Sequence, residues 1–208
     1  MQKTAKRAET RSSEAGRKTQ GELRFWYRYR GLLILPPALF IAVFPYGEVE
    51  ESRVLFAVGG VVWLVGMALR VWAQVNLRYR LRVSTVLTAT GPYTYVRNPI
   101  YIGNTTILLG LCVLCELPWF CPIMLVWCAA VYARVVRYEE SHLLRKHGDA
   151  YRRYMKRVPR WFPRFRRAEQ TREATRDGRT HLLSSVLAEL HNVVFLIPVV
   201  VKELLYPV

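Results

Sequence analysis

Four long apolar runs, separated by short charged segments, constrain this chain more than any other feature of its sequence. They cover Gly31 to Gly47, residues 54–77, Pro99 to Cys115 and Leu117 to Val136. One charge, Arg70, interrupts the second run, and Arg134 interrupts the fourth near its end. Crossing the hydrocarbon core of a bilayer takes about 20 mostly apolar residues, and each run approaches that length. A soluble core in a chain of 208 residues has little use for four of them. The expected fold is therefore all-α: a polytopic membrane helical bundle with four core transmembrane helices and amphipathic helices on the cytoplasmic side. Composition agrees, because 52% hydrophobic residues exclude a disordered polyelectrolyte despite a net charge of +16.

The charge is segregated, and its placement predicts an orientation. Residues 1–30 hold nine basic side chains against Glu9, Glu14 and Glu22, and lack the apolar centre of a signal peptide. The segment between the first two runs, Glu48 to Arg53, is acidic. Residues 78–98 carry Arg78, Arg80, Arg82 and Arg97 with no acid, and residues 134–180 carry fifteen basic against six acidic residues. The excess of Lys and Arg puts the N-terminus and both of these segments in the cytoplasm. Membrane lipids are the expected partner of that charge, through anionic headgroups, and nucleic acid is not. Residues 164–180 read as a polar linker. The stretch from His181 to Val208 is expected to associate with the membrane, as a fifth span or as an interfacial helix. Cys112, Cys115, Cys121 and Cys128 all fall in apolar runs, where a thiol acts as a small hydrophobe, so no metal site is expected.

Two regions at the cytoplasmic edge depart from plain membrane-helix composition. In Leu87 to Gly103, Gly91-Pro92 marks a turn, and Asn98-Pro99 reads as a helix N-cap followed by proline at the first helical position. Such a helix start presents backbone N–H groups to an anion, beside the charge of Arg97 and the rings of Tyr93, Tyr95 and Tyr101. In Arg134 to Pro163, Glu139 and Glu140 follow directly on an apolar run. Neighbouring helical residues point about 100° apart, so at most one of the two aims squarely at a single site, and the other is free to pair with Arg137 or Arg134. His147-Gly148-Asp149 reads as a helix end and a new N-cap, after which Tyr151, Tyr154, Met155 and Val158 share one face.

TGPYTYVRNPIYIG followed by RYEESHLLRKHGDAYRRYMKRVPRWFP resembles the integral membrane methyltransferases of the isoprenylcysteine carboxyl methyltransferase and phospholipid methyltransferase family. The likeness runs from about Arg70 to Pro163. It implies a membrane methyltransferase core over residues 31–163, with S-adenosylmethionine as cofactor in a cytoplasmic-facing pocket. By the same resemblance, Gly91, Tyr93, Arg97, Asn98, Pro99, Tyr101, Gly103, Glu139 and Glu140 bind the cofactor, and a lipophilic methyl acceptor enters between helices. The isoprenylcysteine enzymes read R-H-P-x-Y where this chain reads Arg97-Asn98-Pro99-Ile100-Tyr101, which bears on the acceptor more than on the cofactor.

The residues suit methyl transfer. Aromatic faces and a carboxylate stabilise a sulfonium cation. A carboxylate acceptor needs a cation to orient it, for which Arg134 and Arg137 are the candidates; an amine acceptor needs a base, for which Glu139 and Glu140 are. Both kinds of catalytic residue are present, so O- and N-methylation stay open, with the resemblance slightly favouring a carboxylate of the isoprenylcysteine kind over a phospholipid amine. An NADPH-dependent sterol-type reductase and a non-enzymatic membrane scaffold are the rival readings.

Overall fold

The computed structural model describes residues 19–44, 52–81 and 87–163. The expected linker over 164–180 and the C-terminal segment 181–208 lie outside the described residues. Among those described, all regular structure is helical. A helix over 19–28 (α1) leads almost without break into α2 (Arg30–Val43), and α3 (Ser52–Leu81) and α4 (Pro99–Leu114) follow. A 3-10 turn at Gly91–Thr94 precedes α4, a second at Pro118–Phe120 follows it, and α5 covers Cys121–Arg157.

Among the described residues, two helices are long and apolar enough to cross a membrane: the segments Arg53–Leu77 and Pro118–Arg157. The other two expected spans form shorter apolar helices, of 14 residues in α2 and 16 in α4. At 1.5 Å per residue these reach roughly 21 and 24 Å, short of the ~30 Å core. Many of the apolar side chains on α2, α3 and α5 face outward, among them Leu32, Val61, Leu64 and Val126 at 61–70% exposure. That is the pattern of helices whose surroundings are lipid.

Antiparallel packing of α3 on α4 organises the bundle, and glycine allows it. A methyl group at Gly59 would come within 2.6 Å of the Leu114 backbone nitrogen, and one at Gly110 within 2.6 Å of that of Trp63. Gly66 and Gly103 meet in the same way two turns along, so each helix offers a pair of glycines seven residues apart to its partner. Small residues let membrane helices approach closely enough for dispersion to hold them. Below them, Arg70 donates to Asn104 Oδ1 across the same interface.

Helix α2 solves a different problem. Pro36 and Pro37 lie inside it, and Pro37 has no N–H to offer the Leu33 carbonyl one turn earlier. The Trp127 indole on α5 supplies the missing donor, Nε1 to Leu33 O at 2.9 Å. Helix α4 ends in a Schellman turn: Leu117 N–H donates to Cys112 O at 2.7 Å and Glu116 N–H to Val113 O at 3.0 Å, with Glu116 at φ 58°. Helix α5 is broken at Gly148 (φ 51°, ψ −122°), where the sequence expects a glycine-marked boundary. Beyond it Tyr151 and Val158 are buried and Tyr154 and Met155 half-buried, while Arg152, Arg153, Lys156 and Arg157 are exposed.

Candidate active site

A cavity of about 880 Å³ opens where α1 and α2, the start of α4 and the middle of α5 converge. Pockets for small ligands span ~300–1,000 Å³. Its walls are rich in tyrosine (Tyr27, Tyr93, Tyr101, Tyr132, Tyr138, Tyr151 and Tyr154), and the charged groups in them are Arg30, Arg70, Arg97, Lys146, Glu139 and Glu140. The rings are ordered by one another: Tyr101 packs on Tyr132 with centroids 4.8 Å apart, and Tyr27 on Tyr138 at 5.0 Å. Burial, together with the charge of Glu139, raises the pKa of the Tyr93 phenol, which keeps it a hydroxyl donor at neutral pH.

The two glutamates diverge, as the helical geometry requires. Glu139 accepts a hydrogen bond from the Tyr101 hydroxyl at 2.6 Å. Glu140 is buried and clamped by two arginines. Arg97 Nη1 lies 3.1 Å from one of its oxygens, and Arg160 forks over both, with Nε to Oε1 at 3.1 Å and Nη2 to Oε2. The acid that does not engage Tyr101 thus pairs with Arg97 and Arg160, not with Arg134 or Arg137 as the sequence suggested. Tyr132, Val135, Val136, Glu139 and Glu140 fall on the inward stripe of α5, at helical spacing. Arg134 and Arg137 stand well over 100° round the helix from Tyr132 and are exposed. Arg134 lies over the Trp26 ring at 4.6 Å and donates to Ala130 O at 2.8 Å. The structure does not bring either arginine into the cavity wall.

The turn before α4 is laced to the end of α5. Arg97 N–H donates to Pro159 O at 2.9 Å, Asn98 Nδ2 to Arg160 O at 3.2 Å, and the Tyr154 hydroxyl to Tyr93 O at 2.8 Å. Asn98 does occupy the N-cap position of α4, with Pro99 first in the helix, but its side chain makes this cross-chain bond and no cap bond. Of the other residues expected to bind cofactor, Tyr93, Arg97, Asn98, Pro99 and Tyr101 line the cavity together with both glutamates. Gly91 and Gly103 do not. Gly91 (φ 59°) sits against the side chain of Asn76, and Gly103 against Arg70 and Gly66, so each permits close packing behind the wall.

Sequence reasoning missed Arg160, which lay at the very end of the second motif, and the whole contribution of α1 and α2. A basic terminal segment followed by an apolar run carries no sign of where it docks. In the structure Tyr27, Arg30 and Ile34 form one wall. The four cysteines are free thiols in the helices and the turn around α4. Among the described residues no group of three or more His, Cys, Asp or Glu is placed to hold a metal ion.

Comparison with known proteins agrees with the two motifs. A 113-residue stretch is 32% identical to the nickel-cobalt-cadmium resistance protein NccN of Alcaligenes xylosoxydans xylosoxydans, covering 54% of this chain and 52% of that protein. A 95-residue stretch is 29% identical to the cobalt-zinc-cadmium resistance protein CzcN of Cupriavidus metallidurans, covering 46% and 43%. The chain thus spans about half the length of these curated relatives or less. No solved structure matches it. Residues 53–150, which contain the α3–α4 pair, the turn before α4 and the glutamate pair, match the phospholipid methyltransferase family model. Over that region the chain is similar to the phospholipid methyltransferases.

Proposed function

We propose that this protein is a membrane methyltransferase that uses S-adenosylmethionine to methylate a lipophilic acceptor at the cytoplasmic edge of the bilayer. The observation that carries this reading is the division of labour in the acid pair. Two arginines neutralise Glu140, while Glu139 stands in a tyrosine-lined cavity bonded to a neutral hydroxyl. A carboxylate among aromatic faces is the donor set that a sulfonium or ammonium group requires, and the cavity is large enough for such a cofactor. When bound, S-adenosylmethionine supplies a methyl carbon on cationic sulfur, which leaves with the C–S electron pair as the acceptor's lone pair forms the new bond. The chain's own part is positioning and exclusion of water. Oriented reactants gain roughly 7–11 kcal/mol over free ones. Tyr101 aims Glu139, and the Arg97–Glu140–Arg160 cluster holds the turn before α4 in place.

The same division of labour bears on the acceptor. With Glu140 engaged, Glu139 is the one acid left to meet the cofactor's cation, and a second free carboxylate to deprotonate an amine is missing from the described wall. A carboxylate acceptor needs no base. For such an acceptor, an isoprenylcysteine-like acid, orienting cations come from the cavity wall, not from Arg134 and Arg137, whereas an amine acceptor could use His142 or His147 of the same wall as base. The family's description favours the alternative, N-methylation of a phospholipid. In this reading α2 and α4 complete four spans, and the N-terminus faces the cytoplasm with the site.

Melting the purified protein with S-adenosylmethionine, S-adenosylhomocysteine or NADPH tests the cofactor. Either sulfur ligand at about 100 times its Kd should stabilise the fold by about 2.7 kcal/mol. Stabilisation by NADPH alone identifies a reductase, and silence with all three favours a scaffold. Labelled methyl transfer into total lipid followed by base separates the acceptors, because base cleaves esters and spares methylamines.

A further inference from the structure

We infer that Arg30, at the start of α2, binds the anionic head of an amphiphilic acceptor, so that acceptor recognition lies partly outside the family-matched region 53–150. This rests on the cavity serving methyl transfer, and it adds the residue and the charge class. Arg30 is exposed and yet lines the cavity, which puts it at the mouth. Its guanidinium is held in place by two contacts to a neutral residue: it lies 4.5 Å over the Tyr27 ring and donates to Tyr27 O at 2.9 Å. Tyr27 is in turn packed on Tyr138, the neighbour of Glu139 in sequence. Among the described residues no carboxylate lies within ion-pair distance of Arg30.

The position along the bilayer normal matters as much as the charge. Arg30 is the last polar residue before the apolar length of α2, whose Leu32, Leu35 and Leu39 are 62%, 41% and 52% exposed. Those leucines lie roughly 140–180° round the helix from Arg30 and face lipid. On the side of Arg30 itself, Ile34 one turn along lines the same cavity. An amphiphile that packs its tail against Ile34 therefore brings its head to Arg30 at the cavity mouth. A planar guanidinium, already oriented, matches carboxylate and phosphate oxygens and repels an ammonium. The ligand class is therefore a lipid-like molecule with a carboxylate or phosphate head.

The test uses the full-length protein in phosphatidylcholine nanodiscs and three probes of equal tail: dodecanoate, dodecyl phosphate and dodecylammonium. Binding is read by protein melting, and S-adenosylhomocysteine affinity is measured on the same samples. The wild type should bind one or both anions in preference to the ammonium. Preference for dodecanoate marks a carboxylate head, and preference for dodecyl phosphate marks a phospholipid-type head. Arg30→Gln should weaken the preferred anion roughly tenfold or more, and by more than it changes S-adenosylhomocysteine affinity. Arg30→Lys should recover part of the loss, and Arg24→Gln, an exposed cation outside the cavity, should change nothing. Equal anion binding by wild type and Arg30→Gln, or preference for the ammonium, overturns the inference. A wild type that binds the anion but not S-adenosylhomocysteine overturns the methyltransferase reading and leaves the role of Arg30 standing.

Discussion

Two adjacent glutamates of identical chemistry occupy different environments, and the difference makes a sharp expectation. Glu139→Gln removes a charge from the cavity while the Tyr101 hydroxyl keeps an oxygen to bond. Hydrogen bonds to charged groups contribute about 1.5–3 kcal/mol, so S-adenosylmethionine should bind roughly 10- to 150-fold more weakly with little change in melting. Glu140→Gln leaves Arg97, 12% exposed, facing Arg160 without the carboxylate between them. The cost should be roughly 3 kcal/mol of stability, the low end for breaking a buried pair because Arg160 is only partly covered. Titrating the ligand and melting the apoprotein for both variants checks the pair; a shared phenotype would contradict the division of labour. That the glutamates part company was legible from helical geometry alone. Which one faced inward was not, because the deciding partners, Tyr101 and Arg160, lie 38 and 20 residues away in sequence. Asn98 carries the same lesson. Its position before Pro99 announced a cap, but the carbonyl of Arg160 took its amide.

At the scale of helices, apolar length and glycine placement do separate work. Gly110→Ala pushes a methyl into the Trp63 backbone, which cannot yield as a side chain could, and should cost about 1–3 kcal/mol. Gly60→Ala, with nothing within 4 Å, should be neutral or stabilising by up to about 1 kcal/mol from helix propensity. Thermal melts of the two variants in one detergent decide this; equal losses would mean that α3 does not meet α4 through its glycines. The apolar runs were readable as helices, and the break in α5 at Gly148 was readable as a boundary, because both are local properties of composition and backbone freedom. Helix pairing was not. Glycines seven residues apart on two helices become meaningful only once those helices lie antiparallel. The Leu33 carbonyl without an intrahelical donor was implicit in Pro37, but nothing local named Trp127 as its donor.

Across the whole molecule, the described parts of the basic segments, residues 19–30, 87–98 and 134–163, are in contact with one another. The turn over 91–98 and the segment 154–160 are joined by hydrogen bonds, and α1 meets α5 through Tyr27 with Tyr138 and Gln20 with Arg145. Cysteines introduced as Thr88→Cys and Arg152→Cys should therefore react with an impermeant maleimide from the same, cytoplasmic, side, over the background of the native thiols, of which three are buried and Cys121 is half-buried. Labelling from opposite faces would refute the orientation. Charge asymmetry predicts this shared side, whereas α1 as a wall of the cavity was invisible in a segment defined by its basic residues alone. The lacing of residues 93–98 to 154–160 also sets an order of events during synthesis. Its partners are about 60 residues apart, and the contact of Gln20 with Arg145 spans 125. Distant contacts of this kind form late, since the intervening chain must be ordered first. A nascent chain halted near residue 150 holds the four long apolar runs and can already reside in the membrane, yet it lacks Tyr154, Pro159 and Arg160. Insertion and closure of the cavity wall are thus separate milestones, and residues 151–160, just beyond the family-matched region, are the latch between them.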